Sequence, residues 1–181
     1  MSASNDVIPV NIAVLTVSDT RTEENDTSGQ ALVERLQAAG HNLIDKKIST
    51  DNLYTIRAWV SNWIASEEVE AVLITGGTGF AARDITPEAV LPLFDKEVEG
   101  FGELFRHVSY HDIGSSTIQS RAIAGLANET VIFCMPGSTN ACRTAWDSVI
   151  AQQLDSTYKP CNFVKQITAR RLSGLDCGSR G

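Results

Sequence analysis

The sequence predicts an α/β domain of three layers, with helices on both faces of a mostly parallel sheet. Short apolar runs rich in β-branched residues alternate with longer amphipathic segments along the chain. One such run, residues 71–75, has no polar alternation, which is typical of a strand buried on both faces of a parallel sheet. With 181 residues, 43% of them hydrophobic, the chain is long enough for one domain with a substantial core. The pattern leaves room for an antiparallel strand at one edge.

The first predicted pair is a strand over residues 12–17 and a helix over residues 29–39. The strand is an apolar run, and the helix shows the periodicity of a surface helix that buries one face. Gly40 follows at the position after the C-cap, where glycine adopts the left-handed conformation at little cost. We therefore expect the helix to end there.

The second predicted pair is a strand over residues 43–48 and a helix over residues 53–66. Four apolar residues share one face of this helix: Ile56, Val60, Trp63 and Ile64. Their spacing predicts a surface that packs against the core rather than a platform on which bases stack. Asp51 lies between the two elements, where it can cap the helix, face a ligand, or do both.

The third strand, at residues 71–75, runs directly into the sequence Gly-Gly-Thr-Gly. Ligands of parallel sheets bind beyond the carboxyl ends of the strands. Gly76, Gly77 and Gly79 permit positive φ and let a phosphate approach the backbone amides. Thr86, followed by proline and glutamate, predicts the N-cap of the next helix.

The pair Arg83 and Asp84 lies between the glycine loop and this predicted helix. A carboxylate beside a bound phosphate would be repelled unless a cation lay between them, so the pair suggests Mg²⁺ between Asp84 and phosphate oxygens. The chain has neither the Gly-Lys-Ser/Thr of a Walker loop nor the dinucleotide-binding spacing. The other interpretation is a plain tight turn with Asp84 as a helix cap, which the complete Arg-Asp-x-Thr-Pro-Glu motif disfavours.

The second half of the chain follows the alternation less regularly. Residues 98–113 fit it poorly and suggest an inserted lobe that lines a cleft or meets another subunit. A last strand at residues 131–135 ends at Pro136-Gly137-Ser138, and a helix continues to about residue 154. Ser138 or Thr139 is expected to cap this helix, which repeats the strand–glycine–helix arrangement of the first loop.

Composition limits the possible partners. A net charge of −7 argues against a nucleic-acid surface, for which a basic face is expected. Anionic substrates would then need local positive charge, for which Arg83, Arg121 and Arg143 are candidates, although a solvated surface residue is the favoured interpretation of each one taken alone. The N-terminus lacks the basic start and apolar core of a signal peptide, and no apolar run approaches the ~20 residues of a membrane span. We expect a cytoplasmic protein without a membrane partner.

The spacing of the cysteines and histidines indicates neither a metal site nor a catalytic site. The four cysteines lack a paired CxxC spacing, and the three histidines have no carboxylate or serine at an informative distance. We therefore expect reduced, mostly structural thiols and no metal cluster.

Several sequence blocks occur together in one order, at residues 13–19, 26–29, 76–89, 99–103, 120–122 and 135–138. With these blocks the chain resembles the molybdenum cofactor biosynthesis proteins of the MoaB/Mog family, most closely the MoaB branch, over residues 8–164. The resemblance implies one molybdopterin-binding-like domain over residues 1–164. It also implies binding of molybdopterin and, as in active members, transfer of AMP from Mg-ATP to the molybdopterin phosphate with release of pyrophosphate.

The resemblance also carries residue roles. It assigns catalytic roles to Asp51 and Asp84, with Asp84 as the Mg²⁺ ligand. The residues expected to contact substrate are Ser18, Asp19, Gly76, Gly77, Thr78, Gly79, Arg83, Thr86, Ser120, Arg121, Pro136, Gly137 and Ser138.

Two other functions stay open. One is a carrier that holds molybdopterin without turnover, and the other is an oligomeric scaffold that hands cofactor to a later molybdate insertase. The resemblance implies a homo-oligomer, a trimer or hexamer, for which Phe101, Phe105 and Phe163 are the expected exposed contacts. Residues 165–181 show no core pattern and are expected to form a mobile extension or to pack across a subunit boundary.

Overall fold

The computed structural model describes residues 7–176, which are organised around a six-stranded sheet of order β2-β1-β3-β6-β5-β4. The strands are β1 (Asn11–Val17), β2 (Asn42–Ser49), β3 (Ala71–Thr75), β4 (Lys96–Glu97), β5 (Ile123–Ala127) and β6 (Thr130–Met135). Strands β2, β1, β3 and β6 run parallel, whereas β5 is antiparallel to β6 and β4 is antiparallel to β5. The predicted, mostly parallel α/β sheet is confirmed, and its antiparallel part lies at one edge.

Helices cover both faces of this sheet. They are α1 (Thr27–Ala38), α2 (Leu53–Ala65), α3 (Thr86–Val90), α4 (Glu99–Ile113), α5 (Thr139–Ala145), α6 (Ala151–Gln153), α7 (Val164–Ile167) and α8 (Ala169–Asp176). A π-helical turn, Trp146–Ile150, joins α5 to α6, and 3₁₀ turns occupy Leu91–Leu93 and Gly114–Gln119. No helix among residues 7–176 is long and apolar enough to cross a membrane.

Alternation along the strands divides the core between the two faces. In β1, Ile12 and Val14 pack with α1, α4 and α5, whereas Ala13 and Leu15 pack with α2 and α3. The stripe predicted on α2 faces this second core, since Ile56, Val60 and Trp63 are buried and Ile64 packs against them. The three-layer prediction is therefore confirmed.

The segment that fits the alternation poorly, residues 98–113, is mostly the single helix α4. Phe101 and Phe105 are 3% and 2% exposed, and the Phe101 ring lies 5.1 Å from that of Phe133 on β6. Phe163 is half-buried against the same core. The prediction that these residues are exposed is wrong, because α4 turns Phe101 and Phe105 toward the sheet and Phe163 packs partly against the same core.

Of the C-terminal end of α1 and the N-terminal ends of α2 and α3, the first agrees with prediction and the other two differ from it. Helix α1 ends as expected, with Gly40 at φ +84°. The N-cap of α2 is Asn52, whose side chain accepts hydrogen bonds from the amides of the first turn, so the capping role considered for Asp51 is wrong. The N-cap of α3 is Ile85 rather than Thr86, whose hydroxyl instead donates to the Gly76 carbonyl at 2.8 Å.

The chain remains packed beyond residue 164, where the sequence predicts the domain to end. Ile167 and Thr168 are buried, and Ile167 belongs to the core on the α1 side. The Arg171 Nε donates to Glu70 Oε1 at 2.7 Å, which ties α8 to the start of β3. Residues 165–176 are thus helical in the structure, while residues 177–181 of the predicted extension lie outside the described range.

Candidate active site

The carboxyl ends of β1, β3 and β6 face a cleft of about 480 Å³. The loops after these strands form one wall, and the end of α4 with the following 3₁₀ turn forms the other. The cleft brings together predicted residues that are far apart in sequence: Ser18, Asp51, Gly76, Gly77, Thr78, Gly79, Asp84, Ser120, Pro136, Gly137 and Ser138. This is the position in which parallel sheets bind ligands.

The glycine loop owes its shape to two close approaches. Gly77 has φ +64°, and a Cβ there would lie 2.4 Å from the Thr86 hydroxyl oxygen. A Cβ on Gly79 would lie 2.7 Å from Asp84 Oδ2. A side chain at either position would therefore displace the loop or the Asp84 carboxylate, so Gly77→Val would test folding of the loop as much as access of a phosphate.

Two carboxylates approach this loop from different parts of the chain. Asp51 follows β2, and its Oδ1 would be 3.1 Å from a Cβ built on Gly77. Asp84 lies in the β3–α3 connection, where its Oδ2 accepts a hydrogen bond from the Ala81 amide at 2.8 Å. Burial raises the pKa of Asp51, and the negative charge of Asp84 raises it further. The site therefore holds two like charges whose repulsion a bound cation would relieve.

The donor set at this pair fits Mg²⁺ shared with a phosphate ligand. No cluster of three or more histidine, cysteine, aspartate or glutamate side chains suited to a metal occurs among residues 7–176. Mg²⁺ usually keeps several waters and is held by one or two carboxylates together with substrate phosphates. Asp51 and Asp84 supply the two carboxylates, and the cleft beside them has room for the phosphate.

Arg121 lies outside the cleft lining, and its guanidinium is occupied by the protein itself. It donates to the carbonyl of Gly79 at 2.8 Å and to that of Asp84 at 2.7 Å, and it pairs with the Glu88 carboxylate. Its guanidinium also lies 5.3 Å from the centroid of the Phe80 ring. In the structure Arg121 thus fixes the glycine loop, while its role as an anion ligand stays a prediction.

The other predicted cations are also directed elsewhere. Arg83 forms an ion pair with Asp19, and neither residue lines the cleft. Arg143 is exposed on α5, outside the cleft. Thr86 does not line the cleft either, because its hydroxyl is used inside the loop. The arginine that does line the cleft is Arg21, which the sequence analysis missed because it belongs to no recognisable motif.

Apart from Ser120, the residues of the opposite wall were not predicted as site residues. This wall contains Phe105, Ser109, Asp112, Ile113, Ser116, Thr117 and Gln119. The suggestion that residues 98–113 form a lobe lining the cleft agrees with this position. The polar residues of that segment were the sequence signal for this wall. Which of them face the cleft depends on how α4 lies across the sheet, and the sequence alone does not show this.

The loop after β6 belongs to the same wall as the loops after β1 and β3. Ser138 accepts a hydrogen bond from the Ala141 amide at 3.1 Å, which confirms its predicted role as the cap of α5. The Ser28 hydroxyl donates to the Gly137 carbonyl at 2.7 Å and fixes this loop against α1. In the opposite wall, Ser120 lines the cleft, and its hydroxyl oxygen is buried without a hydrogen-bond partner within the described chain.

Comparison with known proteins assigns the cleft to the part of the chain that matches a known family. Residues 13–156, which include all those lining the cleft, match the family described as "Probable molybdopterin binding domain". The chain is 61% identical over 160 residues to molybdenum cofactor biosynthesis protein B of Escherichia coli (strain K12), covering 88% of this chain and 94% of that protein. A crystal structure of molybdenum cofactor biosynthesis protein B is 48% identical with a TM-score of 0.79, covering 81% of this chain and 92% of the other. The tungsten cofactor synthesizing protein MoaB from Pyrococcus furiosus is 37% identical with a TM-score of 0.72, covering 78% and 90% respectively.

Proposed function

The chain belongs to the molybdopterin-binding domain family of molybdenum cofactor biosynthesis, and from this membership we propose that it binds molybdopterin and transfers AMP from Mg-ATP to the molybdopterin phosphate. The observation that carries the proposal is the pair Asp51 and Asp84 beside the glycine loop of the cleft. Burial raises the pKa of Asp51, and the charge of Asp84 raises it further, as is typical of carboxylates grouped at a functional site.

The reaction joins two anions and needs no covalent intermediate on the protein. An oxygen of the molybdopterin phosphate forms a bond to the α-phosphorus of ATP, the bond from that phosphorus to the oxygen of the β-phosphate breaks, and pyrophosphate leaves. The attacking phosphate already carries negative charge, so Asp51 and Asp84 are better suited to hold and orient a cation than to remove a proton. Positioning and charge neutralisation therefore supply most of the acceleration.

Each part of the cleft has a role in this reaction. Gly77 and Gly79 keep side chains away from the phosphates, and Arg21 offers a positive charge. Mg²⁺ bound by Asp51 and Asp84 would neutralise charge on the phosphates and on departing pyrophosphate. Arg121 keeps the loop in place through its two carbonyl contacts.

A carrier that binds molybdopterin without turnover is the second candidate. It is favoured by the engagement of Arg83 and Arg121 with protein carboxylates, which leaves them unavailable to ATP phosphates. A cytoplasmic location, a homo-oligomer, a scaffold role and an insertase partner stay predictions of the sequence.

Pyrophosphate release from Mg-ATP, measured anaerobically with and without molybdopterin, separates the two candidates. We expect release that depends on molybdopterin, that is lost in Asp84→Asn and that is kept in Glu68→Gln, which neutralises an exposed carboxylate on another loop. Tight molybdopterin binding without pyrophosphate release would contradict the transferase proposal and support the carrier.

A further inference from the structure

The Asp19 carboxylate connects three loops at the mouth of the cleft. Its Oδ1 accepts a hydrogen bond from the Asp51 amide at 3.2 Å, and its Oδ2 pairs with the Arg83 guanidinium. Asp19 itself follows β1, while its two partners belong to the loops after β2 and β3. The side chain of Asp19 is only 23% exposed, although that of Arg83 is 69% exposed.

Each of these two contacts is made by a candidate cation ligand or by its neighbour in the chain. The amide that Asp19 accepts from belongs to Asp51 itself, and Arg83 is the residue immediately before Asp84. Asp84 is also fixed on its other side, where Arg121 donates to its carbonyl. One carboxylate outside the cleft therefore connects the main chains that carry both carboxylates inside it.

We propose that Asp19 is a positioning residue, which holds the loops of Asp51 and Asp84 at the separation that one shared cation requires. The proposal rests on the proposed function, because it assigns the cation to that pair. It differs from the substrate contact that the sequence predicts for Asp19, since both carboxylate oxygens are already used within the protein. Arg83 is also a positioning residue, because its ion pair with Asp19 holds the loop that carries Asp84.

Charge and position predict opposite effects on cation binding when Arg83 is neutralised. Removing a positive charge near Asp51 and Asp84 would by itself strengthen binding of a divalent cation. Releasing the Asp84 loop from Asp19 would weaken that binding, because the two ligands would no longer share one geometry. The sign of the change therefore distinguishes the two roles, and it does so without any catalytic turnover.

The experiment measures Mn²⁺ affinity of the full chain by electron paramagnetic resonance, since carboxylate sites for Mg²⁺ also accept Mn²⁺. We expect Arg83→Gln to weaken Mn²⁺ binding about 5- to 10-fold, and Arg83→Lys to restore most of it. The double variant Asp19→Asn with Arg83→Gln should bind Mn²⁺ no more weakly than the weaker single variant, because both changes break the same contact. Arg35→Gln, which breaks an ion pair with Asp147 outside the cleft, is the matched control and should leave Mn²⁺ affinity unchanged.

Stronger or unchanged Mn²⁺ binding in Arg83→Gln would overturn the proposal, as would absence of Mn²⁺ binding by the unaltered protein. In a turnover assay the same variant should lower kcat about 10-fold with little change in KM for molybdopterin. If Mn²⁺ affinity follows the predicted pattern while pyrophosphate is never released, the adenylyl transfer fails and the positioning role of Asp19 is retained.

Discussion

Carboxylates near the two ends of β3 differ in whether the protein neutralises their charge. At the amino end, Glu70 is 4% exposed, yet its carboxylate pairs with Arg171 and accepts the Asn11 amide at 2.9 Å. At the carboxyl end, Asp51 and Asp84 make no ion pair with any residue of the described chain, and their proximity raises the pKa of Asp51 beyond the effect of burial. A carboxylate that serves the fold is neutralised by the fold, whereas the pair in the cleft is left for a ligand to neutralise.

The largest expected effect is at the carboxyl end. Asp84→Asn should lower the rate of molybdopterin-dependent pyrophosphate release at least ~10²-fold, because it removes an electrostatic element of the transition state. The free energy of unfolding should stay the same or rise, since one of two repelling charges is removed and the amide oxygen can still accept from Ala81. Initial rates and urea unfolding of the same preparations measure both quantities. Unchanged turnover would exclude Asp84 as a ligand of the reacting groups.

The next effect is at the amino end. Arg171→Met should lower the free energy of unfolding by about 2 kcal/mol, because Glu70 keeps its buried position but loses its cationic partner. The matched control is Arg35→Met, which breaks the more exposed pair with Asp147 and should cost less than about 1 kcal/mol. Equal losses in urea unfolding would show that the two ends of the strand do not differ in this respect.

A smaller effect concerns the coupling of the two aspartates. In Asp84→Asn the pKa of Asp51 should fall toward its ordinary value without reaching it, because burial, the larger cause, remains. A raised pKa means that this group stabilises the fold below its unfolded pKa and that this stabilisation is lost as the pH rises through its folded pKa. Carbon-13 titration of the Asp51 carboxyl measures the change. A pKa that does not respond would place the two charges too far apart to share a cation.

The smallest effect is at a histidine near the amino end of the sheet. Burial lowers the pKa of His41, although Asp155 opposes the shift, and its Nδ1 accepts the Val10 amide at 3.2 Å. The neutral ring therefore stabilises the fold above its unfolded pKa, near 6.5, and this stabilisation is lost as the pH falls toward its folded pKa. His41→Gln should flatten the loss of stability between about pH 7 and pH 5. His107→Gln, at an exposed position, should keep the slope of the unaltered protein in the same urea series.

The sequence predicted those parts of the molecule whose signals are local. Strand β3 and its glycines are adjacent in the chain, so a buried strand that ends in a phosphate-type loop can be recognised without knowledge of distant residues. The same holds for Gly40 and Ser138, which act within one turn of their own helices. Family blocks then connected Asp51 with Asp84, which no local pattern relates.

The failures share a dependence on tertiary contacts. The contacts of Arg121 with Gly79 and Asp84 were not foreseen, because these partners lie about forty positions earlier in the chain and no local pattern relates them. Strand β4 has two residues and is defined by its pairing with β5 rather than by a periodicity of its own. Asn52 rather than Asp51 caps α2, and the Asp51 amide is held by the distant Asp19 carboxylate, a contact that the local sequence does not indicate.

The three contacts of Arg121 also have a thermodynamic consequence for the segment between Gly79 and Asp84. This segment has no strand or helix of its own, so its conformational entropy is restricted by the guanidinium contacts together with the Arg83–Asp19 pair and the hydrogen bond from the Ala81 amide to Asp84. Because Arg121 holds both ends and the Glu88 carboxylate at once, most of that conformational entropy is lost a single time, when the chain folds. Each later binding event then carries less of the entropic cost of ordering this segment.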